Sequence, residues 1–147
     1  MSLKETIKDD MKQAMRDKDT LRLSTIRMLL AEVKKKEIDE QITLDDVQLV
    51  ALVQKMIKQR RESFEQYQKA ERPELADKEQ AEIAILGAYL PPQMSEVEVK
   101  QAVQACVQEL GAVSKKDMGK VMAAAKSKLQ GAADMGVVRD IVQSLLQ

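Results

Sequence analysis

KQRRESFEQYQKAERPELADKEQAEIAILGAYLPPQMS, residues 58–95, decides the fold. Charges of alternating sign run along one helical surface, break at Pro73, and give way to a second helix that stops at Pro91-Pro92. Proline locks φ and lacks a backbone donor, so two in succession bar helix continuation and stiffen the connection. Ser95 opens a new helix, with Glu98 three residues later at capping-box spacing. The stretch reads as a hinge. It predicts an N-terminal helical domain over residues 1–92 and a C-terminal one over 93–147.

Outward from the hinge, the pattern is helical on both sides. The five glycines all fall at or beyond Gly87, and Pro73 is the only proline before Pro91. Neither half shows the β-branched alternation bounded by Gly and Pro that a sheet needs. The expected class is all-α, with four helices before the hinge and a three-helix tail after it. Ser2 with Glu5 caps a first helix reaching Asp17, and Asp19 or Thr20 caps a second reaching Glu37. Thr43 is the expected cap of the third, whose seam is Val50, Val53, Ile57, Phe64 and Tyr67. Pro73 starts the fourth, expected to end by Leu90. In the tail, Ser95, Ser114 and Asp134 are the expected caps, and Gly111 ends the fifth helix.

Composition limits the chemistry. With 33% charged and 2% aromatic residues and no Trp, the core must be aliphatic. The chain has no histidine, which removes the commonest general base and metal ligand. One cysteine cannot make a thiolate zinc site, and each glycine stands alone, so no phosphate-cradling loop is present. Asp9-Asp10 and Asp45-Asp46 sit in first turns or on exposed faces, as solvated charge does. Cys106 falls in the apolar stripe of the fifth helix, the place of a buried structural thiol. Ser24 and Ser63 have no activating partner. No catalytic residue, metal or cofactor is expected. The mixed-sign N-terminus lacks the apolar stretch of a signal peptide, and no run is long enough to span a bilayer. A cytoplasmic protein with no membrane or DNA partner is therefore expected.

Two basic clusters remain. Lys115, Lys116, Lys120, Lys126 and Lys128, with Arg139 beyond them, face only Asp117 and Asp134 between Ser114 and Val138. Lysine and arginine contact phosphates, so these six are the RNA-binding candidates. The plain alternative is that Lys126 and Lys128 complement a helix dipole and the others are solvated. In the second cluster, Lys58–Glu62, Arg61–Glu65 and Glu65–Lys69 are expected surface pairs four residues apart. Arg60 interrupts the apolar seam, so it is expected to fork onto Glu79 or Glu82 as a structural ion pair.

Three blocks carry a family likeness. LRLSTIRMLLAEVKKKEID (residues 21–39), QRRESFEQYQKAERPELADKEQAEIAILGAYLPPQMSE (59–96) and GKVMAAAKSKLQGAADMGVVRDIVQSLL (119–146) together resemble the YqeY family. Its C-terminal part is shared with the tail of the B subunit of the tRNA-dependent amidotransferases. The resemblance implies an all-helical protein whose tail domain, in the amidotransferase, reaches tRNA, while the carbon-nitrogen ligase chemistry with glutamine as amide donor sits elsewhere. The pattern departs at Ala132, where the family has Arg, and at Ser127, where it has Pro. The implied function is a non-catalytic tRNA-binding accessory module of translation. The alternative is an adaptor for an amidotransferase subunit or an aminoacyl-tRNA synthetase that does not touch RNA. An amidotransferase acting alone would need an activated nucleophile and a nucleotide site.

Overall fold

A computed structural model describes residues 1–146. Among the described residues it is all-helical, with seven α-helices and no strand. They are α1 (Leu3–Arg16), α2 (Thr20–Glu40), α3 (Asp46–Lys69), α4 (Pro73–Gly87), α5 (Glu96–Leu110), α6 (Met118–Leu129) and α7 (Met135–Leu145). A single 3-10 turn, Lys115–Asp117, leads into α6. The chain divides into two compact units, Met1–Leu90 and Pro91–Gln147.

Reciprocal caps start three helices. Ser2 with Glu5, Asp45 with Gln48, and Ser95 with Glu98 each satisfy two otherwise unpaired backbone donors. The cap of α3 is Asp45 and not the expected Thr43, because Asp45 alone places an acceptor against the Gln48 N–H. Ser114 makes no side-chain cap either; it precedes the 3-10 turn, and Asp117 turns back to accept from the Val113 N–H at 3.2 Å. α2 runs one turn beyond the expected Glu37, to Glu40, and ends on Gln41 at φ 55°. α4 ends at Gly87, within the expected limit of Leu90, as the chain tightens into turns at Ala88 and Tyr89.

In the first unit, α3 packs most extensively on α4, with α1 against α2 and α2 against α4. The core centres on Ile7, Ile26, Leu29, Leu49, Val53 and Leu86. The buried stripe of α3 is Leu49, Leu52, Val53, Met56 and Ile57. Val50, Phe64 and Tyr67, expected in the seam, are only half-buried. Tyr89 is buried, yet beyond the helix; its hydroxyl donates to Asp10 Oδ2 at 2.7 Å. Burial, then the Asp10 carboxylate, pushes the phenol well above its ordinary 10.

The second unit is a three-helix cluster in which α5, α6 and α7 each touch the other two. Its core holds Val99, Val103, Cys106, Val121, Leu129, Val138 and Val142. Gly111 ends α5 at φ +62°, in the left-handed region where glycine lacks the Cβ penalty. The Met94 N–H donates to the Ala132 carbonyl at 2.9 Å, tying the entrance of α5 to the loop before α7.

Candidate nucleic-acid interface

The three-helix unit presents the six basic candidates. α6 buries Val121, Ala125 and Leu129, residues four apart, and this fixes which positions face water. Lys120, Lys126 and Lys128 are exposed on α6, Lys115 and Lys116 on the preceding turn, and Arg139 on α7. Among the described residues, none of the six takes part in an ion pair or side-chain hydrogen bond. The two acids of the same stretch are engaged elsewhere. Asp117 accepts from Val113, and Asp134 Oδ1 accepts from the Gly136 N–H at 2.7 Å as the cap of α7. Six basic side chains against two acids leave the stretch locally positive.

Helical geometry subdivides that surface. At about 100° per residue, Lys126 and Lys128 lie roughly 160° apart, on opposite flanks of α6. Lys120 and Lys128 are only about 80° apart and share one side. One phosphate strand cannot follow all the α6 lysines; Lys120 with Lys128 is the compact pair. Lys126 and Lys128 also stand in the last turn, where cations complement the helix dipole. Ala132, where the resemblance implies an Arg, is half-buried in the loop before α7, and Ser127 is exposed on the outer face of α6.

The other candidates resolve into structure. Arg60 Nε donates to Glu82 Oε2 at 3.0 Å, and Arg60 Nη1 donates to the Met56 carbonyl at 3.2 Å. Both side chains are largely covered, at 13% and 6% exposure. Glu79 lies beside this pair. Partial burial, then the Glu82 carboxylate, raises it above its ordinary 4.5 against the pull of Arg60. The expected pairs Lys58–Glu62, Arg61–Glu65 and Glu65–Lys69 are not closed among the described residues, since long exposed side chains gain little by ordering.

Cys106 is buried. Asp9 is exposed, whereas Asp10 is half-buried under Tyr89 and Arg22 rather than on an open face. Asp45 is the cap of α3, and Asp46 Oδ1 accepts from the Leu3 N–H at 3.1 Å. The Ser24 hydroxyl donates to the Leu21 carbonyl, and Ser63 is half-buried. Among the described residues, no three His, Cys, Asp or Glu side chains gather as metal ligands, and no helix is long and apolar enough to cross a membrane. Sequence reasoning missed the Lys4–Glu37 bridge, in which Glu37 also accepts from the Leu44 N–H at 2.9 Å. Its members lie 33 residues apart, beyond the reach of any spacing rule.

Comparison with known proteins places these residues among relatives. A family model described as Yqey-like protein matches residues 4–146. The chain is 43% identical over 107 residues to "Altered inheritance of mitochondria protein 41, mitochondrial" of Lachancea thermotolerans, covering 71% of this chain and 57% of that protein. It is 36% identical over 119 residues to the protein of the same name in Vanderwaltozyma polyspora, covering 76% and 64%. The Pyrenophora tritici-repentis protein of that name is 33% identical over 126 residues, covering 84% and 69%. The chain thus spans 57% and 64% of the length of the first two relatives. Their names correct one expectation: a cytoplasmic location, drawn from composition, is overturned by relatives at 33–43% identity that are named as mitochondrial.

Proposed function

The chain belongs to the family of Yqey-like proteins, and on that premise we propose that it is a non-catalytic tRNA-binding accessory module whose three-helix unit makes the RNA contact. One observation supports this reading above the others. Six exposed basic side chains between Lys115 and Arg139 lack a protein partner among the described residues, and the acids of that stretch, Asp117 and Asp134, are spent on backbone donors. The contact is to phosphates. Among the three aromatic side chains, Tyr89 is buried, Phe64 and Tyr67 are half-buried, and all three belong to the other unit, so the three-helix unit has no ring of its own to stack a base. The chain carries no net charge. Affinity should therefore be weak, little selective among tRNAs, and steeply salt-dependent.

The second reading is an adaptor for an amidotransferase subunit or a synthetase. Leu110 and Val113, exposed at the end of α5 by 47% and 79%, favour it as an apolar contact for a protein. A fluorescence anisotropy titration of labelled tRNA at two salt concentrations separates the two. Wild type should bind at low salt and lose about tenfold or more on a fourfold rise in salt. Lys120→Glu with Lys128→Glu should weaken binding, and Ala132→Arg, which restores the family's charge, should tighten it. Absence of tRNA binding at low salt, by wild type and by Ala132→Arg, refutes the RNA reading and leaves the adaptor.

A further inference from the structure

A second basic surface lies in the first unit. α1 and α2 are joined by a three-residue turn, and the Lys4–Glu37 and Asp10–Arg22 pairs show them running antiparallel. Between them is a groove of about 440 Å³. Its floor is Met11, Leu30 and Val33, and its rims carry Lys4, Lys8 and Lys12 of α1 and Lys34 of α2. Lys4 is neutralised by Glu37. Lys8, Lys12 and Lys34 are exposed and, among the described residues, have no ion pair or side-chain hydrogen bond. Met15, one turn beyond Met11, is 50% exposed and extends the apolar track.

The chemistry of the groove selects among occupants. The α1 lysines repeat every four residues, so they stand about 6 Å apart along the axis, close to one helical turn. From Lys4 to Met15 the track is roughly 17 Å long, three turns of a helix. A hydrated phosphate backbone gains nothing from a methionine and leucine floor, and no aromatic ring lines the groove to stack a base. A bilayer is flat, and the floor lies below the lysine rims. A helix with one apolar stripe, flanked by carboxylates at one-turn intervals, satisfies floor and rims together, the lysine stems lying along its apolar edge. We propose that the α1/α2 groove docks an acidic amphipathic helix of a partner protein, with Lys8, Lys12 and Lys34 meeting its carboxylates. The groove shares no residue with the proposed RNA contact, and the proposal does not depend on it.

The test uses the full chain and a fluorescein-labelled synthetic peptide of about eighteen residues, long enough to form helix on the protein surface. The peptide carries Leu at i, i+3, i+4 and i+7 with Glu on both flanks. Competitors are a scrambled peptide of the same composition, bulk tRNA, and vesicles of phosphatidylglycerol. The ordered peptide should bind at least tenfold more tightly than the scrambled one. Lys8→Glu with Lys12→Glu and Lys34→Glu should weaken it at least tenfold, and a peptide with Lys in place of Glu should recover binding to that variant. Lys34→Glu alone, an exposed single change, should weaken it severalfold should the triple variant melt early. Lys120→Glu with Lys128→Glu should leave peptide binding unchanged. Equal binding of ordered and scrambled peptides, or no response to Lys34→Glu and the triple variant, overturns the proposal. Tighter binding of tRNA or vesicles that is lost in the triple variant overturns it in favour of a nucleic acid or a lipid surface.

Discussion

At the scale of single residues, the Arg60–Glu82 pair carries the sharpest consequence. Glu82 is 5% exposed, so removing its partner leaves a carboxylate without compensation inside the first unit. Arg60→Ala should cost about 2–3 kcal/mol, less than the roughly 3–5 kcal/mol of a fully buried pair because Arg60 keeps a wet edge. Arg61→Ala, at an exposed position, should stay within about 0.5 kcal/mol. Adding Glu82→Gln to Arg60→Ala should recover part of the loss. Thermal melts of the three variants decide it, and equal small losses for Arg60→Ala and Arg61→Ala would sink the account. Glu79 gives a prediction of opposite sign. Its folded-state pKa is raised by burial and by Glu82, three residues away, so ionising it works against folding. The penalty is absent below the ordinary 4.5 and fully present once pH exceeds the raised value. Glu79→Gln should therefore stabilise by about 0.3 kcal/mol at neutral pH, the size of a like-charge helical pair, and by nothing at pH 3.5. A gain that persists in acid would assign the effect to packing instead. In the sequence, Arg60 stands out only as a charge where the seam calls for an apolar side chain. Which carboxylate it meets depends on how α3 and α4 align, and spacing along one helix does not contain that.

At the scale of elements, helix starts were easier to read than helix stops. Ser2–Glu5 and Ser95–Glu98 announce themselves because a cap needs a short acceptor and a reaching side chain at fixed separation. Glycine is the plainest sequence marker of a stop, and the first unit has one only at Gly87. Its turns instead place Lys18, Gln41 and Glu71 at φ 55–56°, a conformation these residues enter at a cost, so no sequence marker shows where α2 ends. That cost is measurable. Gln41→Gly removes a left-handed penalty of about 1 kcal/mol and adds back roughly 0.5 kcal/mol of unfolded-chain entropy. The net gain should be about 0.5 kcal/mol, since the Gln41 side chain is exposed and makes no side-chain hydrogen bond among the described residues. It should appear as a higher urea midpoint at unchanged slope. An unchanged or lower midpoint would show that the Gln41 conformation carries no strain.

At the scale of the whole molecule, the all-helical class followed from what is missing: β-branched alternation, early glycines and interior prolines. The surfaces were less legible. The tail lysines show as a local charge excess, but their division between the two flanks of α6 comes from which face the unit buries. The α1/α2 groove has no sequence signature, because its lining residues lie up to 33 positions apart and meet only when the two helices fold back on each other. Each unit has a core of its own: the cluster around Leu29 and Val53 and the cluster around Val121 and Val138 share no residue. A cavity in one core therefore acts first on the unit that contains it. Leu129 is 3% exposed and packs among Val121, Val138 and Val142. Leu129→Ala should cost the second unit about 2–4 kcal/mol through lost burial and the cavity left behind. Amide hydrogen exchange reads this by element, because local opening free energies differ between cooperative units. Protection in α5, α6 and α7 should fall by about two orders of magnitude, since each 1.4 kcal/mol is roughly a factor of ten. Protection in α2 and α3 should stay near wild type. An equal fall in α2 and α3 would mean that the chain opens as one cooperative body despite its two cores, and tRNA affinity, if carried by the tail, would then report on Leu29 as strongly as on Leu129.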